Sequence, residues 1–190
     1  MNFLGHLYFS GKDKELMQAN LYGDFVRGSK LDHYPGIIQQ GIKLHRQIDF
    51  YIDHHPEVKK LKLSIMHDLP KIGPVAVDLF FDHLLARNWK DFHPDEYYGF
   101  LDAFYAHETI HEPHYPESFL SFMNQLRFHK WMNHYPSKYG LIKSCEGVAK
   151  RISFETKLPL AHLVFDQMEG QIEEVFHAFM SDARKEFLMQ

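Results

Sequence analysis

The sequence predicts an all-α chain folded as a single-domain multi-helix bundle, and three observations carry that expectation. Apolar residues recur at three- and four-residue spacing along most of the chain, alternating apolar and polar runs are nearly absent, and prolines stand between the periodic segments. With 190 residues, 45% of them hydrophobic, the chain has the size of one domain with a continuous core. No internal repeat, low-complexity tract or long linker divides it, so residues 1–190 are read as one unit.

The periodic segments run over 13–27, 36–53, 71–92, 96–111, 116–134, 138–152 and 158–185, which predicts seven or eight helices. Pro35-Gly36, Pro56, Gly73-Pro74, Pro94, Pro113, Pro116, Pro136 and Pro159 mark where one segment hands over to the next. A proline is tolerated in a first helical turn because the helix leaves that N–H unpaired anyway.

Composition narrows the function. A net charge of −4 with a pI near 6.4 argues against a protein built to coat nucleic acid. No run approaches the roughly 20 apolar residues needed to cross a bilayer, and Met1-Asn2-Phe3-Leu4-Gly5-His6 lacks a basic, cleavable leader, so no membrane role and a cytoplasmic location are expected. The single cysteine, Cys145, cannot form an internal disulfide and fits a reducing compartment. The 15 histidines, many beside aspartates, are the chemistry of metal sites and of proton transfer near neutral pH.

Position decides which of them matter. On the 36–53 helix, at about 100° per residue, His45 and Asp49 fall within about 20° of Ile38, in the middle of the stripe made by Ile38, Ile42, Ile48 and Ile52. On the 71–92 helix, apolar nearly all round, Asp78 and Asp82 lie one turn apart near Val75, and His83 follows on a neighbouring face. Two carboxylates there repel unless a cation or proton lies between them. Asp24 stands beside Met17 and Leu21, and His6 among Phe3, Leu4 and Leu7. Several segments thus send acids and imidazoles toward the core, where an unpaired charge costs several kcal/mol.

A nitrogen and oxygen donor set without thiolate suits a divalent ion, manganese or a similar octahedral ion best, with iron, magnesium or zinc as alternatives. A buried network in which His45 and Asp49 pair with each other or with Arg46 is the other reading. His54-His55 and His107 with His111 are read as surface histidines. Phe100, Phe104, Tyr105, Phe119, Phe122, Phe128 and Trp131 are read as core, some of them free to line a pocket.

Four strings in order, N-F-L-G-H at 2–6, N-L-Y-G-D-F-V-R-G at 20–28, H-R-Q-I-D at 45–49 and D-L-F-F-D-H-L-L-A-R-N-W at 78–89, resemble the acyl carrier protein phosphodiesterase family. G-V-A-K-R at 147–151 is the clearest later match. That family looks like a divergent branch of the HD-type metal-dependent phosphohydrolases, so the resemblance implies an HD-domain-like helical fold. Asp82-His83 reverses the His-Asp order of that superfamily, and Gly5 and Gly23 stand where closer relatives are expected to carry alanine.

The resemblance implies a phosphodiester hydrolase that releases 4′-phosphopantetheine from the serine of holo acyl carrier protein, the partner and substrate. It implies metal ligation by Asp24, His45, Asp78 and Asp82, with His6 and Asp49 as ligands or orienters, and Asp24 is carried over first. His83 is the candidate proton donor to the leaving serine, while Arg27 and Arg46 are candidates to grip phosphate oxygens bidentately. An acidic carrier protein would dock on Lys59-Lys60-Leu61-Lys62, or on Lys150-Arg151 with Lys157. A small-molecule or nucleotide phosphohydrolase and a non-catalytic helical binding module stay open as alternatives, and the sequence does not give the oligomeric state.

Overall fold

The computed structural model describes residues 1–189, which form ten α-helices and no strand. They are α1 (Phe3–Phe9), α2 (Lys14–Tyr22), α3 (Gly36–His54), α4 (Pro56–Ile65), α5 (Gly73–Arg87), α6 (Trp89–Phe92), α7 (Tyr97–Tyr105), α8 (Glu117–His129), α9 (Lys138–Ala149) and α10 (Ala161–Leu188). The helix starts follow local chemistry. Asp13 caps α2 by accepting from the Glu15 and Leu16 amides, and Ser137 caps α9 through the Gly140 amide. Pro56 and Pro74 occupy first-turn positions of α4 and α5, as the sequence leads one to expect.

Several periodic segments are shorter than their apolar pattern. The 13–27 segment is α2 followed by a 3-10 turn, Gly23–Phe25, and the 71–92 segment breaks at Asn88 into α5 and α6. The 116–134 segment breaks at Lys130, whose left-handed φ of 45° ends α8 before another 3-10 turn, Trp131–His134. Periodicity survives these breaks because a 3-10 turn keeps nearly the same side facing inward. Helices α1 and α4 have no counterpart among the seven segments.

Helix α5 is the centre of the bundle: Ala76, Val77, Phe80, Phe81, Leu84 and Leu85 are all fully buried, and α1, α4, α9 and α10 pack around it. Each of these valine, leucine and phenylalanine side chains stabilises the fold by about 1.5–3 kcal/mol. The long helix α10 supplies Phe176, Phe179 and Met180 to the same core. Helix α3 buries Ile38, Ile42, His45, Ile48 and Ile52, the stripe that the helical wheel picks out. It lies against α2 so closely that a methyl group on Gly41 would sit 2.3 Å from the Ala19 Cβ.

Among the aromatics read as core, Phe128 is a correction: it is 83% exposed. It follows Leu126 by two residues, about 200° around the helix, so it points away from the side that buries Phe119, Phe122 and Leu126. Read as a surface residue, His55 is instead buried, with its Nε2 3.6 Å from Asp182 on α10.

Candidate metal centre and cavity

Three helices meet where α1 brings His6, the turn after α2 brings Asp24, and α3 brings His45 and Asp49. The two imidazoles are stacked, with ring centroids 4.1 Å apart and planes 13° from parallel. Both present Nε2 to one carboxylate, His6 to Asp49 Oδ1 at 3.3 Å and His45 to Asp49 Oδ2 at 3.1 Å, and His45 Nε2 is also 3.4 Å from Asp24 Oδ1. One ligand atom from each of His6, His45 and Asp49 lies within 4.8 Å of the others, a spacing that can hold a metal ion.

The state of His6 follows from its neighbours. Asn20, fully buried on α2, donates its amide nitrogen to the His6 carbonyl and to Ser10 Oγ, which fixes the orientation of the amide. Its Oδ1 therefore accepts from His6 Nδ1, at 2.9 Å. Burial holds the His6 pKa below 6.5, against the pull of Asp49, so near neutral pH the ring carries one proton and that proton is on Nδ1. Nε2 is left with a lone pair facing Asp49 Oδ1 and, at 3.1 Å, the Met1 carbonyl oxygen. Converging acceptors without a proton repel, and a cation at this point relieves them. Fixing one ring nitrogen so that the other can ligate is the usual outer arrangement of a metal-bound histidine. The donor chemistry therefore fits a divalent ion.

His45 is held differently. Its Nδ1 is buried without a hydrogen-bond partner, so packing sets the ring: it stacks on His6 and sits over Gly23, where a Cβ would lie 2.3 Å from Cγ. That contact gives the glycine at 23 a steric reason. Burial pulls the His45 imidazole down, but hydrogen bonds to Asp24 and Asp49 outweigh it and raise the pKa to about 9. Burial likewise pushes both carboxyls up, and the hydrogen bonds from His45 outweigh it for Asp24 and for Asp49. Both acids are held below the ordinary carboxylate range and are ionised.

A cavity of about 290 Å³ opens onto this group, lined by His6, Asp24, Asp49, Asp53 and Asp78. Asp78 faces it from α5 and also pairs with the chain's terminal ammonium at 3.2 Å. The structure does not bring Asp82 and His83 to this cavity. Asp82, 1% exposed, accepts from the Leu4 and Gly5 amides at 2.8 and 3.1 Å and so closes the amino end of α1. Burial raises its carboxyl to about 7, against those two amides. His83 Nδ1 donates to the Tyr135 carbonyl at 2.7 Å.

Of the two arginines, Arg27 is exposed just beyond Asp24, while Arg46 donates to the Val26 and Gly28 carbonyls and ties down the segment that carries Asp24. In the lysine cluster, Lys62 turns inward to Asp53 at 2.6 Å and Lys60 pairs with Glu57, whereas Lys150, Arg151 and Lys157 are exposed. Sequence reasoning missed Asn20 and Asp53. Asp53 is one turn beyond Asp49, and Asn20 lies on the buried side of α2, so helical spacing could have found both.

With this geometry in view, the comparisons are specific. The sequence profile of the acyl carrier protein phosphodiesterase family matches residues 1–183. The chain belongs to that family. An acyl carrier protein phosphodiesterase of Salmonella paratyphi A is 33% identical over 155 residues, covering 80% of this chain and 79% of the relative. Relatives of the same description from Salmonella newport and Salmonella enteritidis are 34% identical over the same length. These family members are phosphoric diester hydrolases by name. No solved structure matches. Among the described residues, no helix is long and apolar enough to cross a membrane.

Proposed function

We propose that the chain is a metal-dependent hydrolase that cleaves the phosphodiester joining 4′-phosphopantetheine to the serine of holo acyl carrier protein, releasing the apo protein. The observation that carries the reading is the unprotonated His6 Nε2 facing Asp49 at 3.3 Å, beside His45, in a chain of this family. His6 Nε2, His45 Nε2 and an Asp49 oxygen would hold a divalent ion, the proton that His45 Nε2 otherwise shares with Asp24 and Asp49 being released to solvent. Asp24 and Asp78 lie on the same cavity to complete or orient the site. Oxygen and nitrogen donors favour manganese, with iron, magnesium and zinc as alternatives. Such an ion lowers the pKa of water and polarises a phosphoryl oxygen when bound.

The chain's own groups do the rest. Asp24, ionised and 57% exposed, faces the cavity, where it would orient a water by accepting its hydrogen bond or complete the ligand set. Asn20 keeps His6 in the tautomer that leaves Nε2 open. Arg27, exposed three residues beyond Asp24, is assigned to a phosphate oxygen on its guanidinium chemistry alone, and Arg46 acts indirectly by holding the Asp24 segment. No role in proton donation is assigned to His83, whose Nδ1 is bound to a backbone carbonyl outside the cavity lining.

The test is to incubate the purified protein with manganese and holo acyl carrier protein and follow the carrier by mass. The expected result is loss of the phosphopantetheine arm, abolished by chelator and restored by manganese. An intact carrier under these conditions overturns the substrate, and cleavage indifferent to chelation overturns the metal.

A further inference from the structure

We propose that a groove adjoining the metal-centre cavity receives the pantetheine arm of the substrate, an inference that rests on the carrier-protein reading above. The groove has a volume of about 330 Å³ and runs along α9 beside the Trp131–His134 turn. Asn2 and Val148 line both it and the cavity that holds His6, Asp24 and Asp49, so the two spaces adjoin. A substituent on a phosphorus at the metal centre can therefore continue into the groove.

Of the two substituents on that phosphorus, only one fits. The carrier protein is a folded body presenting a surface serine, and a space near the lower end of the range for small-ligand pockets cannot admit it. The arm is a thin chain that alternates a branched hydrocarbon, two amides and a thiol. The groove offers both kinds of contact: Phe3, Trp131, Tyr135 and Tyr139 give aromatic surface, and Ser144 and His134 give hydrogen-bonding groups. The acidic cavity and the aromatic groove thus divide the substrate at its phosphate. Helix α9 leaves room for the chain at Gly147, where an added Cβ would meet nothing within 4 Å.

The experiment is a titration with pantetheine, which lacks the phosphate and so reports the groove without the metal centre. Trp131 fluorescence is the signal, with Trp131→Phe separating it from the buried Trp89, the only other tryptophan. The wild-type signal should saturate, and Gly147→Leu, which fills the groove, should weaken the affinity at least tenfold. Tyr139→Ala, at a position 57% exposed, removes one wall at little risk to folding and should weaken it as well. No saturable signal in the wild type, or an affinity unchanged from the wild type in both variants, overturns the proposal. In parallel, the kcat/KM for holo acyl carrier protein relative to bis(4-nitrophenyl) phosphate should fall about tenfold in Gly147→Leu. Pantetheine binding without cleavage of holo carrier protein would sink the reaction while leaving the groove in place, so the two failures are distinguishable.

Discussion

The molecule carries two groups of buried acids and imidazoles that look alike in sequence and are satisfied in opposite ways. On α5, Asp82 is answered by the backbone: two amides at the start of α1 take both carboxylate oxygens. On α1 and α3, no backbone amide among the described residues answers the Asp49 carboxylate: it faces the His6 and His45 Nε2 atoms, with Asp24 beside them, and these groups converge beside an open cavity. A helix start leaves unpaired N–H groups, so it can neutralise a carboxylate as a cation would. The difference teaches that burial of an acid signals a need for a donor, and that only geometry says whether the donor is backbone or ligand.

The sharpest way to break this comparison is to remove one acid from each group. Asp49→Ala should reduce turnover of holo carrier protein by at least about a hundredfold, because it removes a proposed ligand, and should abolish the rise in Tm on adding manganese. Asp82→Ala should keep the manganese response when assayed well below its Tm. An equal loss of metal response in both variants would erase the distinction.

Stability should show the reverse order. Asp82→Ala leaves two amides of α1 without acceptors and should cost about 1–3 kcal/mol, a fall in Tm of several degrees for a chain of this length. A Tm unchanged in denaturation scans would mean that water replaces the carboxylate without penalty.

A finer probe is Gly23→Ala. The added methyl meets the His45 ring at 2.3 Å and, the contact being with a ring held by packing, should displace it. Manganese affinity by calorimetry should fall about tenfold, with helical circular dichroism unchanged. Undiminished affinity would show that His45 is not held at its place by this seat.

The smallest expected effect is on the pH dependence of the metal-free protein. The His45 pKa is raised from 6.5 to about 9, so its interactions contribute fully below 6.5 and are lost as pH rises through about 9. Its partners Asp24 and Asp49 are about half exposed, so solvent screens the effect and the fall in Tm across that window should be modest. His45→Gln should remove that part of the slope, and a variant with the same slope would assign it elsewhere.

How much of this was legible in the sequence differs by element. Helix α3 could be read almost to its ends, because nineteen residues give five turns of an unbroken stripe and His45 and Asp49 are neighbours on the same side of it. Helix α1, with seven residues, is too short for periodicity to register, and α4 hides its apolar side behind Lys59, Lys60 and Lys62. The wheel placed Asp82 correctly in the core but could not name its partner, since backbone amides 78 and 77 residues away leave no trace in residue identity. Asn20 was hidden for a similar reason: its role is to fix a tautomer, and that depends on Ser10 and His6 meeting it in space. The family resemblance supplied the order of the strings but not which of their acids face one another.

The contact of α2 with α3 at Ala19 and Gly41 leaves no room for even a methyl group between the two helices. Helices so close cannot slide or rotate independently, so folding itself sets the distances among Asn20, Asp24, His45 and Asp49. Ion capture then demands little rearrangement of the main chain, and its speed should be governed by how fast the incoming ion sheds its hydration shell.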